Sequence, residues 1–132
     1  MKEYNRRQFI ATASALAAAP VAAGTNDKPG SSLVHHVFFW LKNKGSVTDR
    51  QQLIEGLKSL SAIRTVKKLI IGTPAATEQR GVVDNSYDVS ELMYFESISD
   101  QDAYQVDPIH KAFVEKCSHL WEKVIVYDMQ VI

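Results

Sequence analysis

A tyrosine and a histidine, Tyr104 and His110, are the residues of this chain whose chemistry best suits catalysis. A histidine with a near-neutral pKa can remove a proton from the carbon next to a carbonyl group. A phenol can donate a hydrogen bond to the enolate oxygen that forms. The intervening Asp107-Pro108 step interrupts any helix, so the two side chains need not follow one helical period. In the alternative interpretation, His110 is a buried histidine bonded to a backbone carbonyl, and Tyr104 is a core aromatic with a solvated hydroxyl.

The segment 33–42 carries two further histidines among β-branched and aromatic residues. Both alternating sets of positions are apolar, which predicts a strand that is covered on both faces. His35 falls on the same face as Phe39, and we expect both to line one pocket. His36 then points to the opposite face, because successive side chains of a strand alternate.

The remaining elements follow from periodicity and capping signals. Thr48 and Gln51 form a capping box that would open the first helix, and Ser99 with Asp102 would cap a short second one. We expect a longer helix to start at Pro108 with Asp107 as its N-cap, and to carry an apolar stripe that reaches Trp121. Three further strands are predicted, at Val66–Ile71, Tyr87–Phe95 and Val124–Gln130.

The order strand, helix, strand, strand, helix, strand predicts a ferredoxin-like α+β fold, with a four-stranded antiparallel sheet and helices on one face. The second face carries apolar side chains such as Phe38 and Trp40, which would be open to water in a monomer. A contiguous apolar patch usually marks an interface. We therefore expect a homodimer joined sheet to sheet, with two-fold symmetry.

The segment from Thr73 to Ser86 has no hydrophobic period and is longer than most connections in a small domain. Such a loop is typical of a functional lid or a partner contact, with Arg80 and Asp84 as its strongest polar candidates. The alternative is a hairpin tip with solvated charges.

The N-terminus resembles a bacterial export signal. Arg6-Arg7 precedes an apolar, alanine-rich run over residues 9–23 that is short for a membrane span and ends in small residues. This pattern is similar to a twin-arginine signal, read by a route that carries folded proteins. We expect a signal peptide at 1–23, cleaved after Ala23, then a linker at 24–32 and one domain at 33–132. The mature domain would be periplasmic or otherwise exported, with no membrane attachment after cleavage.

Composition argues against several classes of function. The chain has 15 basic and 15 acidic residues, which does not favour nucleic acid or an anionic membrane as a partner. Cys117 is the sole cysteine, so an internal disulfide is impossible, and its helical stripe favours a small buried residue over a nucleophile. His110 and His119 do not have the spacing of a helical metal site. We predict no metal and no cofactor.

Several segments together resemble the stress-responsive dimeric α/β-barrel (Dabb) family, over roughly 33–132. They are the strand at 33–42, Tyr94-Phe95-Glu96-Ser97, the segment 104–113 and the closing segment 120–128. The resemblance implies the ferredoxin-like fold and the dimer. It says less about activity, because one fold hosts many functions.

A plant polyketide cyclase of this family uses a tyrosine and a histidine in the segment that matches Tyr104 and His110, so the resemblance implies a catalytic role for both. His35 matches the family's strand histidine and is expected to bind substrate. Where the cyclase has a further pocket histidine, this chain has Val89, which argues against the same substrate and reaction. Phe39, Phe113 and Trp121 can form apolar pocket walls, although such aromatic residues also fit a plain core.

Three functional hypotheses remain. The first is an exported homodimer that binds a small apolar or aromatic carbonyl compound and acts on it by cyclase- or lyase-like acid–base chemistry. The second is a non-catalytic structural or stress-response dimer. The third is a cofactor-free monooxygenase of the same fold, against which the Asp107-Pro108-Ile109-His110 segment argues.

Overall fold

The computed structural model describes residues 32–132. This part of the chain contains four strands and three α-helices. The strands are β1 (Leu33–Leu41), β2 (Lys68–Gly72), β3 (Val89–Phe95) and β4 (Trp121–Gln130). Helix α1 (Val47–Ser59) follows β1, while α2 (Ile98–Val106) and α3 (Pro108–Cys117) connect β3 to β4. None of these helices is long and apolar enough to span a membrane. The predicted signal at 1–23 and all but the last residue of the predicted linker lie outside the described residues.

The strands form one antiparallel sheet in the order β2-β3-β1-β4. Strand β1 is central and pairs with both β3 and the last strand, β4. This arrangement confirms the predicted ferredoxin-like α+β fold. The second helical segment is divided into α2 and α3 at Asp107, where the backbone is extended.

Directly opposed residues on neighbouring strands share a face of the sheet. We call the face that packs against the helices the inner face, formed by His35, Val37, Phe39, Val89, Glu91, Met93, Val124, Val126 and Asp128. The outer face is formed by His36, Phe38, Trp40, Ile70, Leu92, Tyr94, Ile125, Tyr127 and Met129. The predicted separation of His35 and His36 onto opposite faces is therefore correct.

The caps of α1 and α2 each lie two residues before the predicted ones. Ser46 caps α1 by accepting a hydrogen bond from the Asp49 backbone N–H, and Ser97 caps α2 through the Asp100 N–H. The predicted caps, Thr48 and Ser99, lie inside the helices, so both predictions were wrong. In each case two hydroxyl residues lie close together in sequence, and the earlier one accepts the bond that closes the first turn.

The predicted start of α3 is confirmed, since Asp107 accepts a hydrogen bond from the Ile109 N–H and Pro108 is the first helical residue. Its predicted end is wrong. The helix ends at Cys117, and after a short 3-10 turn Trp121 is the first residue of β4, where it pairs with Leu41. Strands β2 and β3 each begin two residues after the predicted start.

Helices α1 and α3 approach closely at Gly56. A Cβ atom at this position would lie 2.5 Å from the Cys117 Sγ and 3.2 Å from Phe113 Cδ1. The helix therefore accepts glycine, which costs roughly 1 kcal/mol relative to alanine, because a side chain would not fit. Cys117 is buried in this contact, in agreement with its predicted role as a small core residue.

Candidate functional site

The predicted site residues Tyr104, His110 and His35 come together beneath the inner face. Tyr104, on α2, is 1% exposed. Its ring centroid lies 4.6 Å from that of His110 on α3 and 5.8 Å from that of His35 on β1. The bend at Asp107 brings α3 back toward the sheet, so that two residues separated by a helix break contact each other.

His110 is suited to act as a base at neutral pH. Its ring is half-buried, and burial lowers its pKa because the charged imidazolium loses hydration. The backbone of Gln105 and the carboxylate of Asp107 oppose this shift, and His35 adds to it. The net shift is downward, so the imidazole of His110 remains neutral and retains a lone pair that can accept a proton.

The phenol of Tyr104 is suited to act as a hydrogen-bond donor. Burial raises its pKa, and the charge of Glu91 raises it further. The hydroxyl therefore keeps its proton throughout the physiological range. A neutral phenol beside a neutral imidazole provides one donor and one base in the same small volume.

His35 is held by two polar residues that the sequence analysis missed. Its Nδ1 lies 2.6 Å from Asp128 Oδ1 and 3.0 Å from the side-chain nitrogen of Gln101. A carboxylate only accepts hydrogen bonds, so we assign the Nδ1 proton to the bond with Asp128. With Nδ1 protonated, the Gln101 amide donates to the same carboxylate oxygen, 3.3 Å away, and not to the ring nitrogen. In the neutral ring, Nε2 is then the nitrogen with a lone pair. The pairing of Asp128 with His35 depends on the register between β1 and β4, which the sequence does not display.

The three aromatic residues predicted as pocket walls, Phe113, Trp121 and Phe39, form a row of ring contacts that begins at His110. The ring of Phe113 lies 6.5 Å from His110 and 5.7 Å from Trp121, and Trp121 lies 5.0 Å from Phe39. Phe39 and Phe113 are buried, whereas Trp121 is half-buried. Together these rings form an apolar surface next to the polar residues Tyr104, His110, His35, Gln101 and Asp128. We call these five residues the polar cluster.

The inner face is accessible to solvent along β4, at the edge of the sheet. Val124 and Val126 point to the inner face, yet Val126 is 46% exposed and Val124 is also exposed. The side chain of Asp128, which bonds His35, is 42% exposed as well. The polar residues beneath the inner face are therefore nearest to solvent at the β4 edge, through Asp128.

Glu91 is a further polar residue of the inner face that the sequence analysis missed. It lies on β3 opposite Val37 and is 2% exposed. Its position on the inner face could have been predicted from the sequence, because the alternation of β3 places it between the apolar residues Val89 and Met93. No cluster of three or more His, Cys, Asp or Glu side chains suited to a metal ion occurs within residues 32–132.

The outer face exposes large apolar side chains. Tyr127 is 63% exposed, Met129 is 56% exposed, and Ile70 and Tyr94 are exposed to a smaller extent. Phe38 is half-buried, and its ring makes edge contacts with Tyr87 and Tyr127.

The loop predicted as a lid or partner contact ends against the outer face, away from Tyr104. The Trp40 indole N–H donates to Ser86 Oγ, and Ser86 in turn donates to the carboxylate of Asp84. The hydroxyl and the backbone N–H of Ser86 both donate to Asp84 Oδ1, and these two bonds lower the pKa of the Asp84 carboxyl. Asp84 also borders a shallow pocket of about 140 Å³ together with Phe38, Trp40, Tyr87, Ile125 and Tyr127. Arg80, the other predicted candidate, is exposed.

Solved structures with a similar fold include three from diverse organisms. A dimeric ferredoxin-like protein of unknown function from Thermobifida fusca is 19% identical, with a TM-score of 0.62 and coverage of 77% of this chain and 92% of its own. A Dabb family protein from Mesorhizobium loti is 24% identical, with a TM-score of 0.64 and coverage of 77% and 98%. A hydroxynitrile lyase from Passiflora edulis is 21% identical, with a TM-score of 0.66 and coverage of 79% and 96%. At these identities the likeness shows the fold alone.

A comparison with curated proteins gave no match. The model of one protein family, described as the stress responsive A/B barrel domain, matches residues 33–131. This range contains every helix and strand described above and all the residues of the polar cluster. The chain therefore belongs to the stress responsive A/B barrel (Dabb) family.

Proposed function

We propose that this protein is a homodimer that binds a small apolar or aromatic carbonyl compound beneath the inner face and acts on it by acid–base chemistry. The observation that carries the proposal is the contact of the Tyr104 ring with both His110 and His35. A neutral base, a phenolic donor and an oriented histidine form one cluster, beside aromatic rings and near an open edge of the sheet. A plain core has no need for this combination of ionisable groups.

In the proposed reaction, His110 removes a proton from the carbon next to the ligand's carbonyl group. The C–H electrons form the C=C bond of an enolate, and the negative charge moves to the carbonyl oxygen. The Tyr104 hydroxyl donates a hydrogen bond to that oxygen as the charge develops. His35, oriented by Asp128, binds the ligand, while Phe39, Phe113 and Trp121 form the apolar wall.

Exchange of α-protons with deuterated water tests this step without knowledge of the natural substrate. Acetophenone, an uncharged aromatic ketone, is a suitable probe, and its methyl signal can be followed by NMR. We expect the protein to accelerate exchange, and His110→Ala to lower the rate by about 10²- to 10⁴-fold. Tyr104→Phe should lower it by a smaller factor, because water can replace one hydrogen bond in part. His119→Ala, at an exposed histidine beyond α3, is the matched control.

Failure of the native protein to accelerate exchange would leave the non-catalytic dimer as the better interpretation. Unfolding of His110→Ala would identify His110 as a core residue instead of a base. Circular dichroism on each variant separates this result from a loss of chemistry.

Lyase chemistry is a second candidate for the same groups. A base that accepts the hydroxyl proton of a hydroxynitrile allows the C–C bond to break, which yields a carbonyl compound and cyanide. The Passiflora edulis protein of similar fold is a hydroxynitrile lyase. Release of benzaldehyde from mandelonitrile by this protein, and its loss in His110→Ala, would support this reaction. A rate equal to that of the buffer would exclude it.

The proposed dimer forms through the outer face with two-fold symmetry. Its support is the row of exposed apolar residues on that face and the dimeric state of the Thermobifida fusca protein. Two-fold pairing of identical apolar faces covers both at once. The end of the 73–86 loop, which borders this face, would then lie near the partner.

We propose that the protein is exported through the twin-arginine route and works outside the cytoplasm. The proposal is based on Arg6-Arg7 and the apolar run that follows. Replacement of both arginines by lysine keeps the charge but removes the paired guanidinium groups. We expect this variant to remain in the cytoplasm when cells are fractionated. Export equal to that of the parent would indicate another route or no signal.

A further inference from the structure

Glu91 places a carboxyl group where the fold offers it only aliphatic neighbours on the sheet. Along β3 it lies between Val89 and Met93, both fully buried, and across the sheet it faces Val37 on β1 and Ile71 on β2. The carboxyl is 2% exposed. A buried acid in such surroundings destabilises the protein unless a partner satisfies it.

One oxygen of this carboxyl has no partner. Within residues 32–132, Glu91 Oε2 is a buried side-chain oxygen without a hydrogen bond. Burial raises the pKa of Glu91 to about 8, so the group is mainly neutral at pH 7. A neutral carboxyl carries one O–H donor in addition to its acceptor oxygens.

Glu91 belongs to the same cluster as the proposed catalytic residues. It is close enough to Tyr104 for its charge to raise the pKa of the phenol. Its neighbour across the sheet, Val37, lies two positions from His35 on the same face. The other ionisable groups of this region reach Glu91 through Tyr104: His110 on α3 and His35 on β1 contact the Tyr104 ring, and Asp128 on β4 bonds His35. From α1 and β2 the residues packed on the core are apolar, namely Leu53, Ile54, Leu57, Leu69 and Ile71.

We propose that Glu91 is a further ligand-binding residue, which donates a hydrogen bond from its neutral carboxyl to an uncharged oxygen of the ligand. The inference rests on the proposed function and narrows its ligand class. The ligand has a ketone or aldehyde oxygen at the end that enters deepest, where this one oxygen accepts a hydrogen bond from the Glu91 carboxyl and another from the Tyr104 hydroxyl. The bond would satisfy the carboxyl that has no partner in the protein.

Binding of acetophenone at pH values below and above 8 tests this role. Only the protein with a protonated Glu91 carboxyl donates this hydrogen bond to acetophenone. The affinity of the native protein for acetophenone should therefore fall by about tenfold for each pH unit above the pKa of Glu91. The pKa of His110 is lowered and that of Tyr104 is raised, so both lie outside this window. Glu91→Gln keeps a donor that does not titrate and should bind equally at both pH values. Glu91→Leu removes the donor and should bind about tenfold more weakly at low pH.

Infrared difference spectra of the native protein against Glu91→Gln add a measurement independent of turnover. We expect a carboxylic acid C=O band below pH 8 that shifts when acetophenone binds. A pH-independent affinity, or equal binding by Glu91→Leu, would overturn the role of Glu91 even if α-proton exchange is observed. A shifted band without exchange would support the role while refuting the acid–base function. Tighter binding of benzylammonium than of acetophenone would identify Glu91 as a charged partner and also overturn the inference.

Discussion

Each face of the sheet departs from the usual distribution of side chains at a few positions. The inner face, which packs against the helices, buries the ionisable residues His35 and Glu91. The outer face leaves Tyr127 and Met129 exposed to solvent. An antiparallel sheet covered on one side is normally apolar inside and polar outside, so these positions are exceptions. Each departure costs stability in an isolated chain, and the two proposed partners would offset this cost: a small molecule at the inner face and a second subunit at the outer face.

The largest effect is expected from a charge on the outer face. Tyr127→Glu would place one unpaired carboxylate per subunit in the proposed interface, and an uncompensated buried charge costs about 3 to 5 kcal/mol. We expect the variant to be monomeric at concentrations at which the native protein is a dimer, as measured by light scattering. Val47→Glu, at another exposed apolar residue but on α1, is the control and should leave assembly unchanged. A dimeric Tyr127→Glu variant would refute this interface.

The next effect concerns Glu91 and the dependence of stability on pH. Its pKa rises from 4.5 to about 8 on folding, so the folded protein holds a proton that the unfolded chain has lost between these values. Stability from this group is complete below pH 4.5 and decreases as the pH rises to 8, by about 1.4 kcal/mol for each pH unit in this range.

Urea unfolding over this range should show the decrease in the native protein and a flatter profile in Glu91→Gln. Parallel profiles for the two proteins would mean that Glu91 is ionised in the folded state or titrates as it does in the unfolded chain.

The smallest expected effect is a difference in ligand binding between variants of the two adjacent histidines, His35 and His36. His35→Ala removes a side chain of the proposed site, and loss of one ligand hydrogen bond costs about 1 to 3 kcal/mol, so acetophenone binding should weaken by roughly 5- to 150-fold. His36 faces the other way and stacks on Phe38 at 4.2 Å. Its replacement by alanine should leave binding unchanged. Equal losses in the two variants would indicate a general effect on β1 and would remove the functional distinction between the faces.

The fold, the face of the sheet on which His35 lies and the start of α3 were predictable because they depend on local patterns. Tyr104 and His110 were chosen from their chemistry and from the family resemblance, and not from such patterns. Alternation in β1 separated His35 from His36, and the Asp107-Pro108 signal fixed the start of α3. The same reasoning applied to β3 would have placed Glu91 on the inner face. Asp128 was not predictable in this way, because its contact with His35 depends on the register of two strands at opposite ends of the domain. The predicted N-caps of α1 and α2 were wrong because two hydroxyl residues lie within one turn at each helix start. The local sequence does not decide which of the two caps the helix.

The central position of β1 has a consequence for synthesis of the chain. Within residues 32–132, β1 is the first strand to be synthesised, and it is flanked by β3 and by β4, the last of the four strands. The residues of the His35–Asp128 bond are 93 positions apart. Contacts so distant in sequence form late, because the chain must first close a long loop. Without β4, a nascent or truncated chain would therefore leave one edge of β1 unpaired at the end of a three-stranded sheet, and this edge would be prone to aggregation. Completion of the sheet and assembly of the histidine–carboxylate pair would occur together, only after β4 has left the ribosome.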